Sequence, residues 1–320
     1  MAEGPPPPDL LRRRLLFVTG KGGVGKTTIA ASLALLGARA GRRTLVCEVD
    51  AKGDLAPAFE TPPLEFRPRQ VTGGLWAMTM DTEESLKEYL RLQLRIPLLA
   101  RIGPLARTFD FLASAAPGVK EILTVGKLAW EVREDHYDLV VVDAAATGHI
   151  VGQLRAPAAI NELVAVGLVR EQTGWIREIL TDPATTGVVV TALPEEMPVT
   201  ETLELVGALG ETSVDVAAVV VNRVLPELFG RAEEEVFERL RTPALAGALQ
   251  AAAGGSVEPV LEAARLAVTL RRTGAEHLER LRSGLGPELP VLYVPELFRH
   301  SVGLRALAQV ADALGAELGG

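Results

Sequence analysis

The chain has 320 residues, 48% of them hydrophobic, which suits one large α/β domain or two small ones and excludes a disordered chain. A net charge of −8 and a pI near 5.3 argue against general nucleic-acid binding, which needs a basic face. A single cysteine excludes an intrachain disulfide framework, and no apolar run reaches the ~18 residues of a membrane span, so the natural compartment is the cytosol.

Residues 1–13, with prolines at 5–8, read as a disordered lead-in to one domain over 14–320. Arg12 to Arg14 before an apolar run imitates a signal peptide, but the run is too short and feeds straight into a glycine loop. That run, Leu15 to Val18, reads as a buried strand. The loop is Gly20, Lys21, Gly22, Gly23, Val24, Gly25, Lys26, Thr27, Thr28, which has Walker A spacing. Its glycines let backbone N–H groups wrap a triphosphate without a Cβ in the way. Lys26 is placed to reach the β- and γ-phosphates of ATP, and the Thr27 hydroxyl to ligate Mg²⁺. A helix over 27–39, ending before Gly41, completes the strand–loop–helix unit that sets phosphate on a helix N-terminus.

Further strands are expected at 44–49, 75–80, 139–142, 186–191, 214–221 and 291–294. Helical patterns separate nearly all of them, with a helical insertion at about 81–135 and a long charged helical section at 225–286. Such alternation implies an α/β, doubly wound, mostly parallel sheet of about seven strands. Ligands bind such sheets at the carboxyl ends of the strands, where Asp50, Asp143 and Asn222 fall. Asp143 closes a hydrophobic strand, the Walker B position, and is expected to hold Mg²⁺ directly or through water opposite Thr27.

The extra cation in the loop, Lys21, makes the chain resemble the deviant Walker A ATPases, the P-loop group of the SIMIBI class containing MinD, ParA, nitrogenase iron protein and ArsA. In that group the early lysine acts in trans across a nucleotide-sandwich dimer, which implies a catalytic role for Lys21 beside Lys26. The segment Asp143 to His149 resembles the ArsA switch II, Asp-Thr-Ala-Pro-Thr-Gly-His, with Ala144 and Ala146 replacing Thr and Pro. Asp50 to Leu55 aligns with switch I, Asp-Pro-Ala-His-(Asn or Ser)-Leu, and only Asp50 and Leu55 match. The resemblance implies that Asp50 positions the attacking water. It also implies that Asn222 meets the adenine edge and that Pro295 packs on the base, with Phe298 able to stack there. Residues 193–202, with Pro198 and Thr202, and residues 116–122 match two further family segments. The motif order is most similar to actinobacterial ArsA-like proteins, some of which occur as paired paralogues.

What is missing narrows the function. Arsenite capture uses three cysteines and the zinc site of tail-anchored-protein targeting relatives uses Cys-x-x-Cys; here there is only Cys47, in a strand. The four histidines have no metal-ligand spacing, so no zinc or other structural metal is expected. Residues 83–115 carry more apolar side chains than one amphipathic stripe needs, among them Leu86, Tyr89, Phe109 and Phe111. They read as core or dimer packing, with an exposed groove for an apolar protein client as the alternative. The second helical insertion of the family looks short, at 156–182. The expected function is Mg²⁺-dependent ATP hydrolysis in a homodimer, or a heterodimer with a paralogue, that handles a protein or small-molecule client. The alternatives are a MinD- or ParA-type positioning ATPase, disfavoured because residues 304–320 hold one Arg and no Lys, and a weakly hydrolysing subunit of a paralogue pair.

Overall fold

A computed structural model describes residues 9–50, 52–94, 118–163, 168–227, 229–240, 242–298 and 303–319. Among these residues eight strands form one sheet: β1 Leu15–Gly20, β2 Thr44–Glu48, β3 Arg69–Thr72, β4 Leu75–Thr79, β5 Leu139–Asp143, β6 Thr186–Ala192, β7 Val216–Val224 and β8 Val291–Pro295. Their order is β3-β4-β2-β5-β1-β6-β7-β8, parallel except for the β3–β4 pair. All seven strands expected from sequence are present, and β3 is the addition. It is a half-exposed edge strand, Arg-Gln-Val-Thr, with no apolar run to announce it. Its antiparallel hairpin caps the sheet at that side, a common way to end a parallel sheet.

The helices are α1 Lys26–Arg39, α2 Leu55–Ala58, α3 Thr82–Leu94, α4 Val119–Arg133, α5 Thr147–Leu163 and α6 Leu168–Thr181, then α7 Glu196–Gly210, α8 Arg231–Leu240, α9 Pro243–Ala253, α10 Glu258–Gly284 and α11 Leu304–Glu317. They divide between the two faces because strand side chains alternate. Phe17, Cys47, Val142 and Val190 face Leu128 of α4, Ile150 of α5 and Leu209 of α7. Val18, Val46, Val141 and Val220 face Ile29 and Leu33 of α1 and Leu307, Val310 and Leu314 of α11.

Two boundaries move. The lead-in does not run to residue 13, because Leu10 is buried and the Arg13 guanidinium donates to the Thr186 carbonyl and to Asp215 at 2.6 Å each. Residues 1–8 lie outside the described residues. Of the region expected as a helical insertion, α4 is a layer of the core, since Val125, Leu128, Ala129 and Val132 all pack on the sheet. Residues 95–117, which include Phe109, Phe111 and part of the 116–122 segment, lie outside the described residues. Among its described residues the charged section at 225–286 holds three helices, and α9 is a run of Pro, Ala, Leu, Gly and Gln with no charge.

Candidate active site

The phosphate loop begins where β1 ends. A Cβ at Gly20 would stand 2.3 Å from the Thr191 carbonyl oxygen, so a side chain there would part β1 from β6. Gly25 hands the loop to α1 with φ at +95°, in the left-handed region, and a Cβ there would stand 2.3 Å from Asn222 Nδ2. That amide nitrogen donates to the Val24 carbonyl at 3.0 Å, while Asn222 Oδ1 accepts the Arg223 N–H at 3.0 Å. The end of β7 therefore braces the loop from behind. The amide assigned by resemblance to the adenine edge is here bound to protein on both sides. Asn222 and Pro295 nonetheless line one cavity of about 520 Å³ with Thr27, Thr28 and Leu307. Phe298 is exposed and is not among that cavity's lining residues.

A smaller cavity of about 190 Å³ lies over the loop, walled by Gly22, Gly23, Lys26, Thr27, Asp50 and Asp143 together with Glu48, Lys52 and Asp54. Lys26 is buried, and its amine donates to the Lys21 carbonyl at 3.2 Å across the loop. Burial lowers its pKa, against the raising pull of Asp143. The Thr27 hydroxyl donates to Asp143 Oδ2 at 2.6 Å. Burial lifts the Asp143 carboxyl to about 6, with the Thr27 bond and Lys26 opposing. Two hard oxygen donors meeting beside a phosphate loop are a donor set that suits Mg²⁺. Asp50 is exposed at the rim, 3.8 Å from the Lys52 amine.

Lys21 points elsewhere. Its side chain is not part of the cavity wall and forms an ion pair with Glu201 on α7. Thr147, Gly148 and His149 of the switch II segment open α5, and the Thr19 hydroxyl ties Ala145 to β1 at 2.9 Å. Glu48 was not singled out from the sequence, although it is buried and lines the phosphate cavity. Its signal was a lone acidic residue inside the apolar strand Thr-Leu-Val-Cys-Glu.

The family described as anion-transporting ATPase matches residues 13–174 and 165–242, which take in the loop, both switch segments and Asn222. The chain belongs to the ArsA ATPase family. Like its family, it is an ATPase. ATPase BagA of Mycobacterium tuberculosis is 32% identical over 326 residues, spanning 95% of this chain and 93% of that one. A putative arsenical pump-driving ATPase of Halobacterium salinarum is 29% identical across 74% of this chain and 42% of its own length. ATPase GET3 of Chaetomium globosum is 27% identical across 66% of this chain and 73% of its own. This ArsA-family ATPase carries a further cavity of about 260 Å³ among α3, α4, α5 and α6, walled by Leu86, Tyr89, Ile122, Trp130, Ile160 and Trp175. No helix among the described residues is long and apolar enough to cross a membrane.

Proposed function

We propose that this ATPase works in the cytosol as a Mg²⁺-dependent nucleotide-sandwich dimer, of two like chains or of paralogues, whose opening and closing handle an apolar protein client. The observation that carries the reading is the direction of Lys21, which leaves its own phosphate cavity to Lys26 and stands partly exposed beside Glu201. A cation placed there is free to serve a second nucleotide once its partner gives way.

The roles follow from position. Lys26 holds the β- and γ-phosphates, and the loop N–H groups wrap them. Thr27 and Asp143 hold Mg²⁺, which when bound offsets phosphate charge. Asp50, at the rim, orients the attacking water. Asn222 and Pro295 flank the base, in the cavity that continues from Thr27 and Thr28. Lys21 of one chain reaches the nucleotide of the other. The apolar cavity among α3 to α6 takes a greasy segment of the client. One contact favours a second reading, a slow subunit of a paralogue pair: Lys52 stands 3.8 Å from Asp50 and draws on the carboxylate that the water needs. The MinD-type reading calls for a free amphipathic terminal helix, whereas the apolar side of α11 is spent on α1.

Light scattering with Mg²⁺ and a slowly hydrolysed ATP analogue tests the dimer. The mass should double from 34.0 kDa on nucleotide addition, alone or after mixing with a paralogue. A chain that stays monomeric under both conditions refutes the sandwich.

A further inference from the structure

One buried carboxylate in the phosphate cavity has no part in the roles above. Glu48 is the last residue of β2 and is 3% exposed. Strand alternation turns it to the α1 side of the sheet, together with its register partner Asp143. A carboxylate is costly to bury unless it is bonded. Glu48 Oε1 accepts the Asp54 N–H at 2.8 Å. That bond closes the loop that follows β2, in which Asp50 is carried and Gly53 turns with φ at +80°. Among the described residues it is the one hydrogen bond that ties 50–54 back to the sheet. Among the described residues Asp50 forms one ion pair, with Lys52 at 3.8 Å.

We propose that Glu48 is the positioning residue for switch I. It does not touch the reacting atoms. By holding the Asp54 amide it fixes how far the loop stands from the phosphates, and so where the Asp50 carboxylate meets the attacking water. The inference rests on the reading of Asp50 given above. What it requires of residue 48 is a hydrogen-bond acceptor at the place of Oε1, not a charge, so glutamine should serve and alanine should not. Displacement of a catalytic group by about 1 Å is enough to cost about 10²-fold in rate.

The test uses the full chain with Glu48→Ala and Glu48→Gln, measuring turnover, affinity for a slowly hydrolysed ATP analogue with Mg²⁺, and hydrogen exchange across 50–55. Glu48→Ala should lower kcat by about 10- to 100-fold and speed exchange of the Asp54 amide. Its nucleotide affinity should stay within about threefold, and Glu48→Gln should keep kcat within about threefold of the parent. Full turnover in Glu48→Ala overturns the proposal. So does a glutamine variant as slow as the alanine one, which would make the charge the requirement, and so does an affinity loss as large as the rate loss. If Glu48→Ala does not fold, the donor is removed instead: Asp54 sits at φ −75°, which proline adopts without an N–H to give. Asp54→Pro should then turn over about tenfold more slowly than Asp54→Ala, and equal rates overturn the proposal. Failure of the Asp50 reading is separable, because Asp50→Asn would then hydrolyse normally while Asp54 exchange still followed residue 48.

Discussion

Asp50 and Asp143 both wall the phosphate cavity, but one is exposed and the other is buried against Thr27. They should therefore fail differently. Asp50→Asn keeps size and loses charge, so Mg²⁺-ATP binding should persist while turnover falls by about 10²-fold or more in a steady-state assay. Asp143→Asn should weaken Mg²⁺ dependence and nucleotide affinity together, read by calorimetry at several Mg²⁺ concentrations. Both aspartates were legible in the sequence because each follows an apolar strand. Glu48 was not, because it lies inside one, and its bond to Asp54 depends on how the loop turns back. Cys47 gives a further check at this scale. Burial pushes its thiol well up, so the folded chain keeps the proton that an unfolded chain gives up above its ordinary value. Native protein at pH 8 should not react with a thiol reagent, and denatured protein should react once. Above about pH 8.5 the folded state binds the extra proton, so stability falls as pH rises, by about 1.4 kcal/mol per unit from this group. Cys47→Ala should flatten that slope in denaturant titrations between about pH 8.5 and 10.

At the scale of elements, α3 and α4 are joined by an ion cluster in which the Lys127 and Glu131 side chains are buried. The Lys127 amine lies 2.5 Å from Glu88 Oε2 and 2.5 Å from Glu131 Oε1, and the His136 ring meets Glu131 at 2.7 Å. The same ammonium stands 4.8 Å from the Trp130 ring centroid and 5.2 Å from that of Phe66. Removing one member strands the others in low dielectric. Lys127→Ala should cost about 3–5 kcal/mol by urea unfolding, and replacing Lys127, Glu88 and Glu131 together with apolar residues of like size should recover most of it. If the triple variant is no better than Lys127→Ala, packing and not charge decides. Lys127 and Glu131 are four residues apart on α4, and Glu88 joins them because α3 packs on α4. The central strands were legible because buried parallel strands read as apolar runs, and β3 was not because an edge strand need not. In the sequence, residues 304–320 stand out for their lack of basic charge. The apolar side of α11, Leu307, Val310 and Leu314, turns out to complete the core over α1.

Over the whole molecule, the parallel sheet brings residues far apart in sequence to one rim. Thr27, Asp50, Asp143, Asn222 and Pro295 all lie at or beyond the carboxyl ends of strands and wall two cavities that share Thr27 and Asp54. Lys21 follows the same strand end but turns to Glu201, away from the wall of the phosphate cavity. Whether two chains build one site is therefore the deciding question. The direct measurement is ATPase complementation. Lys21→Ala supplies an intact Asp50, and Asp50→Asn supplies an intact Lys21. Each alone should be nearly inactive, and an equimolar mixture should recover roughly a quarter of parental activity, from the one of four site combinations that has both groups, if pairing is random and sites act independently. Additive, near-zero activity in the mixture, with both variants folded and binding nucleotide, would contradict a Lys21 that acts across the dimer.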